Sequence, residues 1–116
     1  MIEDEIKVIK NYKNPFSQFV KKQTKPFRAV IEDEVNFICT HPCVGELKIG
    51  DLSGIRIHKF KFNRQQHLIA YSFVESEVTE QNELEQCLEF LIIDFYKIGS
   101  HENFYEDLKT YLKSVR

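Results

Sequence analysis

Three of the four glycines in this chain, Gly45, Gly50 and Gly54, fall within ten residues of one another. Glycine tolerates the backbone angles of tight turns, so a cluster this dense reads as a run of turns. The hydrophobic period changes across it. Before the cluster, apolar residues recur at helical spacing; after it, they alternate as in strands. Helices in front and strands behind give an α+β order of elements.

On the amino-terminal side, Ile6 and Val8 flank Lys7 and predict a short first strand. Asn14-Pro15 has the form of a cap followed by a first-turn proline, and Phe16, Phe19 and Val20 continue at i, i+3 and i+4, which predicts a helix to about Gln23. Thr24 can cap a second helix that tolerates Pro26 in its first turn and carries Phe27, Val30, Ile31, Val35 and Ile38 as an apolar stripe. That helix should stop near His41-Pro42, because the residue before proline avoids the helical region.

Beyond the glycines, Ile55 and Ile57 are apolar at odd positions but Phe60 and Phe62 at even ones. A β-bulge near His58-Lys59 would produce that slip. Asn63 to Gln66 is a polar connection, and Ile69, Tyr71 and Phe73 alternate in the following run, so the two runs predict a hairpin. Residues 75–86 hold five glutamates and read as an exposed connection. Residues 88–96 satisfy a helical stripe and a β-branched, aromatic strand equally well. Gly99-Ser100 supplies a turn and a cap, after which Phe104, Leu108, Tyr111, Leu112 and Val115 define a final helix.

At 116 residues the chain is expected to be one domain, residues 1–116. Hydrophobic residues make up 42% and charged residues 29%, which excludes general disorder, and no apolar run approaches the roughly 20 residues of a membrane span. The acidic start, Met1-Ile2-Glu3-Asp4-Glu5, is unlike a secretory signal, and three cysteines read as reduced thiols, so a cytoplasmic location is expected. Net charge is -2 and the pI is near 6.1, which taken alone argues against nucleic acid. The charge is unevenly spread. Residues 6–30 carry seven bases and no acid, 31–40 sum to -3, 41–73 to +3 and 74–116 to -6. Such a division is compatible with a phosphate-facing surface or with ordinary solvated faces.

Two groups of residues could carry chemistry. Cys39-Thr40-His41-Pro42-Cys43 places two sulfurs and an imidazole together, but a structural zinc site wants four ligands and only the remote Cys87 remains, so no metal is expected. The richer group is basic and aromatic: Lys48, Arg56, His58, Lys59, Lys61, Arg64, His67 and Tyr71 around the hairpin, with His101 and Tyr105 near the final helix. His101 and Tyr105 are at i and i+4, hence on one helical face, and with Ser100 as cap the helix dipole would disfavour an imidazolium at His101. Cleaving RNA without a metal needs a base for the 2′-hydroxyl, an acid for the leaving 5′-oxygen and cations for the charge on phosphorus; these residue types can supply all three. The alternative is that His101 caps the turn and Tyr105 belongs to the core.

The strings Leu47-Lys48-Ile49-Gly50-Asp51-Leu52-Ser53-Gly54-Ile55-Arg56-Ile57-His58-Lys59-Phe60, Ile69-Ala70-Tyr71 and Gly99-Ser100-His101-Glu102-Asn103-Phe104-Tyr105-Glu106-Asp107-Leu108-Lys109, in that order, resemble toxins of the RelE/ParE superfamily over about residues 15–113. The resemblance implies two N-terminal helices packed on a small curved antiparallel β-sheet, with a C-terminal helix after the last strand, and it makes residues 88–96 a strand. It implies a toxin of a type II toxin–antitoxin module with a cognate antitoxin as partner. RelE-like members cleave mRNA on the ribosome and need no cofactor, whereas ParE-like members inhibit DNA gyrase by contact, and a degenerate member would keep only the binding of its antitoxin. Carried over, Arg56 and His101 with Tyr105 form the catalytic set, and Lys48, Lys59, Lys61 and Tyr71 bind RNA. The low net charge and the glutamates of 75–86 depart from the basic pattern of ribosome-dependent members.

Overall fold

The computed structural model describes residues 5–80 and 86–115. In chain order the elements are β1 (Glu5–Tyr12), α1 (Asn14–Lys21), α2 (Lys25–Thr40), a 3-10 turn (Pro42–Val44), β2 (Glu46–Leu47), a second 3-10 turn (Gly50–Leu52), β3 (Arg56–Phe62), β4 (Gln65–Glu80), β5 (Gln86–Ser100) and α3 (Phe104–Val115). The strands form a single sheet in the order β1-β5-β4-β3-β2. β1 runs parallel to β5 and the other neighbours are antiparallel, so the sheet is mixed, not wholly antiparallel as the resemblance implied. The physical reason is that the chain enters through a strand at the far edge, then crosses the sheet through α1 and α2, and such crossovers make parallel pairs possible.

Local chemistry explains the helices. The Thr24 hydroxyl accepts the Phe27 amide at 3.4 Å and caps α2, whose stripe Phe27, Ile31, Val35 and Ile38 is buried against the sheet. In α1 the N-cap position falls on Lys13, whose side chain makes no capping bond, and not on Asn14, which is already helical; Pro15 lies in the first turn.

Helices cover both faces of the sheet. α1 and α2 bury Phe60, Ile69, Tyr71, Ile93 and Phe95 on one side. On the other, α3 buries Ile57, Leu68 and Ala70 beneath Phe104, Leu108 and Leu112. This accounts for the change of phase near His58-Lys59 without a bulge, since β3 and β4 pair in unbroken register from Arg56↔Tyr71 to Phe62↔Gln65. Ile57 faces α3 while Phe60 faces α2, and an ordinary alternating strand can feed both cores. The register does shift between β4 and β5, at Ala70/Tyr71, where Tyr96 is the extra residue and shares a hydrogen bond with Ser72 at 2.8 Å. A two-residue turn joins β3 to β4, with Asn63 at φ 49 and Arg64 at φ 64.

The segment 75–86 is also not a connection as far as it is described. β4 continues to Glu80 and β5 begins at Gln86, with cross-strand pairs out to Glu80↔Gln86; residues 81–85 lie outside the described part. The long ribbon stretches the molecule to 54 × 33 × 22 Å. Its radius of gyration is 16.3 Å, against about 13 Å for a compact chain of this length. Among the described residues no helix is long and apolar enough to cross a membrane.

Candidate functional site

The candidate residues divide between the two faces of the sheet. Arg56 and Tyr71 are paired across β3 and β4 and point toward α1 and α2. Tyr71 is 0% exposed. Its hydroxyl donates to the Pro42 carbonyl at 2.5 Å and accepts the Gly45 amide at 2.9 Å. Burial pushes its phenol above the usual tyrosine range, against the lowering effects of the Gly45 amide and of Arg56. The Arg56 guanidinium donates to the carbonyls of Cys43 at 3.1 Å and Gly45 at 2.8 Å and lies 5.7 Å from the centre of the Phe73 ring. Both side chains therefore brace the turn at Pro42–Val44. A buried ring has no face to offer a nucleotide base, so the expected RNA contact at Tyr71 is corrected, and Arg56 is separated from His101 by the sheet.

Two histidines of the basic group also belong to this side. His58 Nε2 is 2.7 Å from Glu34 Oε2 on α2. His67 is 5% exposed, lies among Phe27 and Phe60, and is held below the usual histidine range by burial, which outweighs the opposing bond to the Gln65 carbonyl.

The α3 face gathers the rest. Tyr105 is its centre: the His101 ring stands edge-on to it with centroids 5.8 Å apart, and the Lys48 ammonium lies 5.3 Å from its ring centre. Lys48 also meets Glu46 at 3.3 Å. A shallow recess of about 320 Å³ opens here, lined by Lys48, Ile49, Asp51, Leu52, Tyr105 and Lys109. Lys109 approaches Asp51 at 3.9 Å. Lys59 pairs with Leu68, which is buried under α3, so Lys59 and by alternation Lys61 project to this same side, both exposed. Lys97 extends over the Phe104 ring at 5.8 Å.

His101 is exposed and precedes α3, which starts at Phe104; Asn103 adopts φ 57 between them. Ser100 still belongs to β5 and does not cap the helix, and Glu106 and Asp107 occupy the first turn, where they offset the helix dipole. The expected first-turn placement of His101 is thus corrected, while its contact with Tyr105 is present. Sequence reasoning missed Lys109 and Lys97. Lys109 is four residues beyond Tyr105, so extending the His101, Tyr105 spacing by one more turn would have found it.

Cys39 is half-buried and Cys43 exposed, both as free thiols, and burial raises the Cys39 thiol despite the opposing charge of Lys10. Cys87 has no described side chain. Among the described residues no three histidine, cysteine or acidic side chains converge in a way that could hold a metal ion.

A family model described as ParE-like toxin of type II bacterial toxin-antitoxin system matches residues 10–109, from within β1 to the middle of α3. No curated protein and no solved structure matches the chain. The matched span takes in α1, α2, the hairpin, the ribbon and the His101, Tyr105 segment, and on that basis the chain belongs to the ParE-like toxin family of type II bacterial toxin–antitoxin systems.

Proposed function

We propose that residues 1–116 form one toxin domain that acts in the cytoplasm on mRNA held by the ribosome, cutting it without metal or organic cofactor until a cognate antitoxin protein covers it. The observation that carries this reading is the convergence of His101, Tyr105 and Lys48 on one exposed face. In this mechanism the RNA 2′-oxygen attacks phosphorus and the 5′-oxygen leaves, producing a cyclic phosphate. His101 takes the 2′-hydroxyl proton and returns it to the leaving 5′-oxygen, Tyr105 orders the imidazole, and Lys48 with Lys109 neutralises the charge that builds on phosphorus. Lys59 and Lys61 follow the backbone of the strand. Arg56 and Tyr71 support the fold and take no part. Positioned proton transfer contributes about 10²–10⁴-fold, so His101→Ala should abolish growth arrest and the cuts seen by primer extension on cellular mRNA after brief induction. If His101→Ala and Lys48→Ala arrest growth as the wild type does, the RNA mechanism is wrong.

A second reading has its own support: inhibition of DNA gyrase by contact. Arg56, expected in the catalytic set, and Tyr71, expected to bind RNA, are engaged within the fold, and the matching family is described as ParE-like. Inhibition of gyrase supercoiling by the purified protein, with cellular mRNA intact, would select it.

A further inference from the structure

Past the C-terminal end of α2, the helices no longer cover the sheet, and a groove of about 820 Å³ opens over β1, β5 and β4. Its floor is two cross-strand rows. Ile6, Glu89 and Glu77 form one; Val8, Leu91 and Glu75 form the other. Ile6 is 65% exposed and Val8 40%. The last turn of α2, at Cys39 and Thr40, closes one end and contains no basic residue of its own, so the negative end of its dipole faces the groove, with Lys10 of β1 as the cation that acts on Cys39. No lysine or arginine lines it among the described residues.

The register sets Glu77 directly opposite Glu89. Like charges in that position destabilise a sheet. The free chain bears this cost on an exposed ribbon, and a cation placed over the pair would remove it. A second copy of the chain meeting it symmetrically, groove to groove, would instead bring three more carboxylates onto the first three. A nucleic acid is excluded for the same reason. The outer strands of the floor are separated by about 9.5 Å, two strand spacings, which accommodates one α-helix of about 10 Å diameter. An added strand would go to the edge of the sheet, not to this face.

We propose that this groove seats a cationic amphipathic helix of a partner protein, its apolar stripe on Ile6, Val8 and Leu91 and its lysines or arginines over Glu75, Glu77 and Glu89. The surface lies on the opposite side of the sheet from His101, and the inference stands whether or not that site cuts RNA.

The probe is an 18-residue helical peptide with leucines on one face and lysines beside them, compared with the same peptide carrying glutamate for lysine. Binding to the full chain is followed by fluorescence anisotropy at low and high salt, and by amide chemical shifts. The lysine peptide should bind, shift amides at residues 6–8, 75–77 and 89–91, and weaken with salt. The combined Glu75→Gln, Glu77→Gln and Glu89→Gln variant should bind roughly tenfold more weakly, the sum of three modest charge pairs. Ile6→Ser should weaken binding too, whereas Val74→Ser on the other face should not. Equal binding of the two peptides, a triple variant within twofold of wild type, or shifts confined to another surface would each overturn the proposal. These variants change exposed side chains, apart from the half-buried Glu89, and unchanged thermal unfolding confirms that each remains folded.

Discussion

Replacing Tyr71 by phenylalanine removes one oxygen and two hydrogen bonds, and it separates a structural role for this residue from a ligand-binding one. The Gly45 amide, which is buried, loses its 2.9 Å acceptor, and the half-buried Pro42 carbonyl loses its 2.5 Å donor. A stranded buried group costs about 1–3 kcal/mol and an ordinary lost bond about 0.5–1.5 kcal/mol, so Tyr71→Phe should cost about 2–4 kcal/mol. For a chain of this size that is a fall in Tm on the order of 10 °C. Urea unfolding followed by circular dichroism measures it, with the midpoint lowered and the slope unchanged. Arg56 braces the same turn through the Cys43 and Gly45 carbonyls, so Arg56→Ala should destabilise as well, and the double variant should lose less than the sum. At a temperature where Tyr71→Phe remains folded, growth arrest should persist. A loss below about 0.5 kcal/mol would refute the structural assignment, and so would loss of growth arrest without loss of stability.

A side chain at Gly45 has nowhere to go: its Cβ would stand 2.9 Å from Tyr71 Cε1 and 3.1 Å from the Ile57 carbonyl carbon. Gly45→Ala should therefore lower the urea midpoint by the equivalent of about 1–3 kcal/mol. Arg64 holds φ 64 in a two-residue turn where glycine is preferred. Arg64→Gly should raise stability by about 0.5–1 kcal/mol, and any accompanying loss of RNA affinity would assign the arginine to the ligand face. Because burial lowers the folded-state pKa of His67, the unfolded chain binds more protons as pH falls below the usual histidine value, and stability should drop from about pH 6.5 downward. Comparing urea midpoints of wild type and His67→Phe between pH 7.5 and 5 isolates that slope, and identical pH profiles would remove His67 as its source. Thr24→Ala should cost about 0.5–1 kcal/mol by the same denaturation assay, near the low end for a cap because its bond is 3.4 Å long.

The α2 helix was legible because both of its signals are local. Thr24 and the Phe27, Ile31, Val35, Ile38 spacing sit within a few turns of each other, and the structure uses them as read. The sheet's two-sided burial was not legible in the same way. Ile57 and Phe60 differ in parity, which a bulge or two covering layers explains equally well, and only the position of α3 decides between them. Nothing near Ile6 and Val8 tells that they pair with Glu89 and Leu91 more than eighty residues away, so the parallel edge was invisible. For the site, His101 and Tyr105 were brought together by a turn-to-helix spacing that tolerates a shift in the helix start. Arg56 was the instructive failure. Once 56–62 reads as a strand, Arg56 and Lys59 must face opposite sides, since they are an odd number of residues apart. A bulge at His58-Lys59 would have put them on one face, and only the unbroken register of β3 with β4 sets them apart.

The net charge of -2 is the balance of surfaces that differ in sign. Lys21, Lys22, Lys25 and Arg28 belong to the α1 and α2 layer; Lys48, Lys59, Lys61, Lys97 and Lys109 belong to the face carrying α3; Glu75, Glu77 and Glu89 belong to the ribbon. Screening at physiological salt acts over about 8 Å, and the molecule is 54 Å long. A ligand on one surface therefore responds to that surface and hardly to the total. A polyanion is drawn to the lysines beside Tyr105 and repelled by the ribbon, while a cationic helix is drawn to the ribbon and repelled by the lysines. On the two proposals made above, partners of opposite charge would have separate places on one small sheet, and neither would have to displace the other in order to bind.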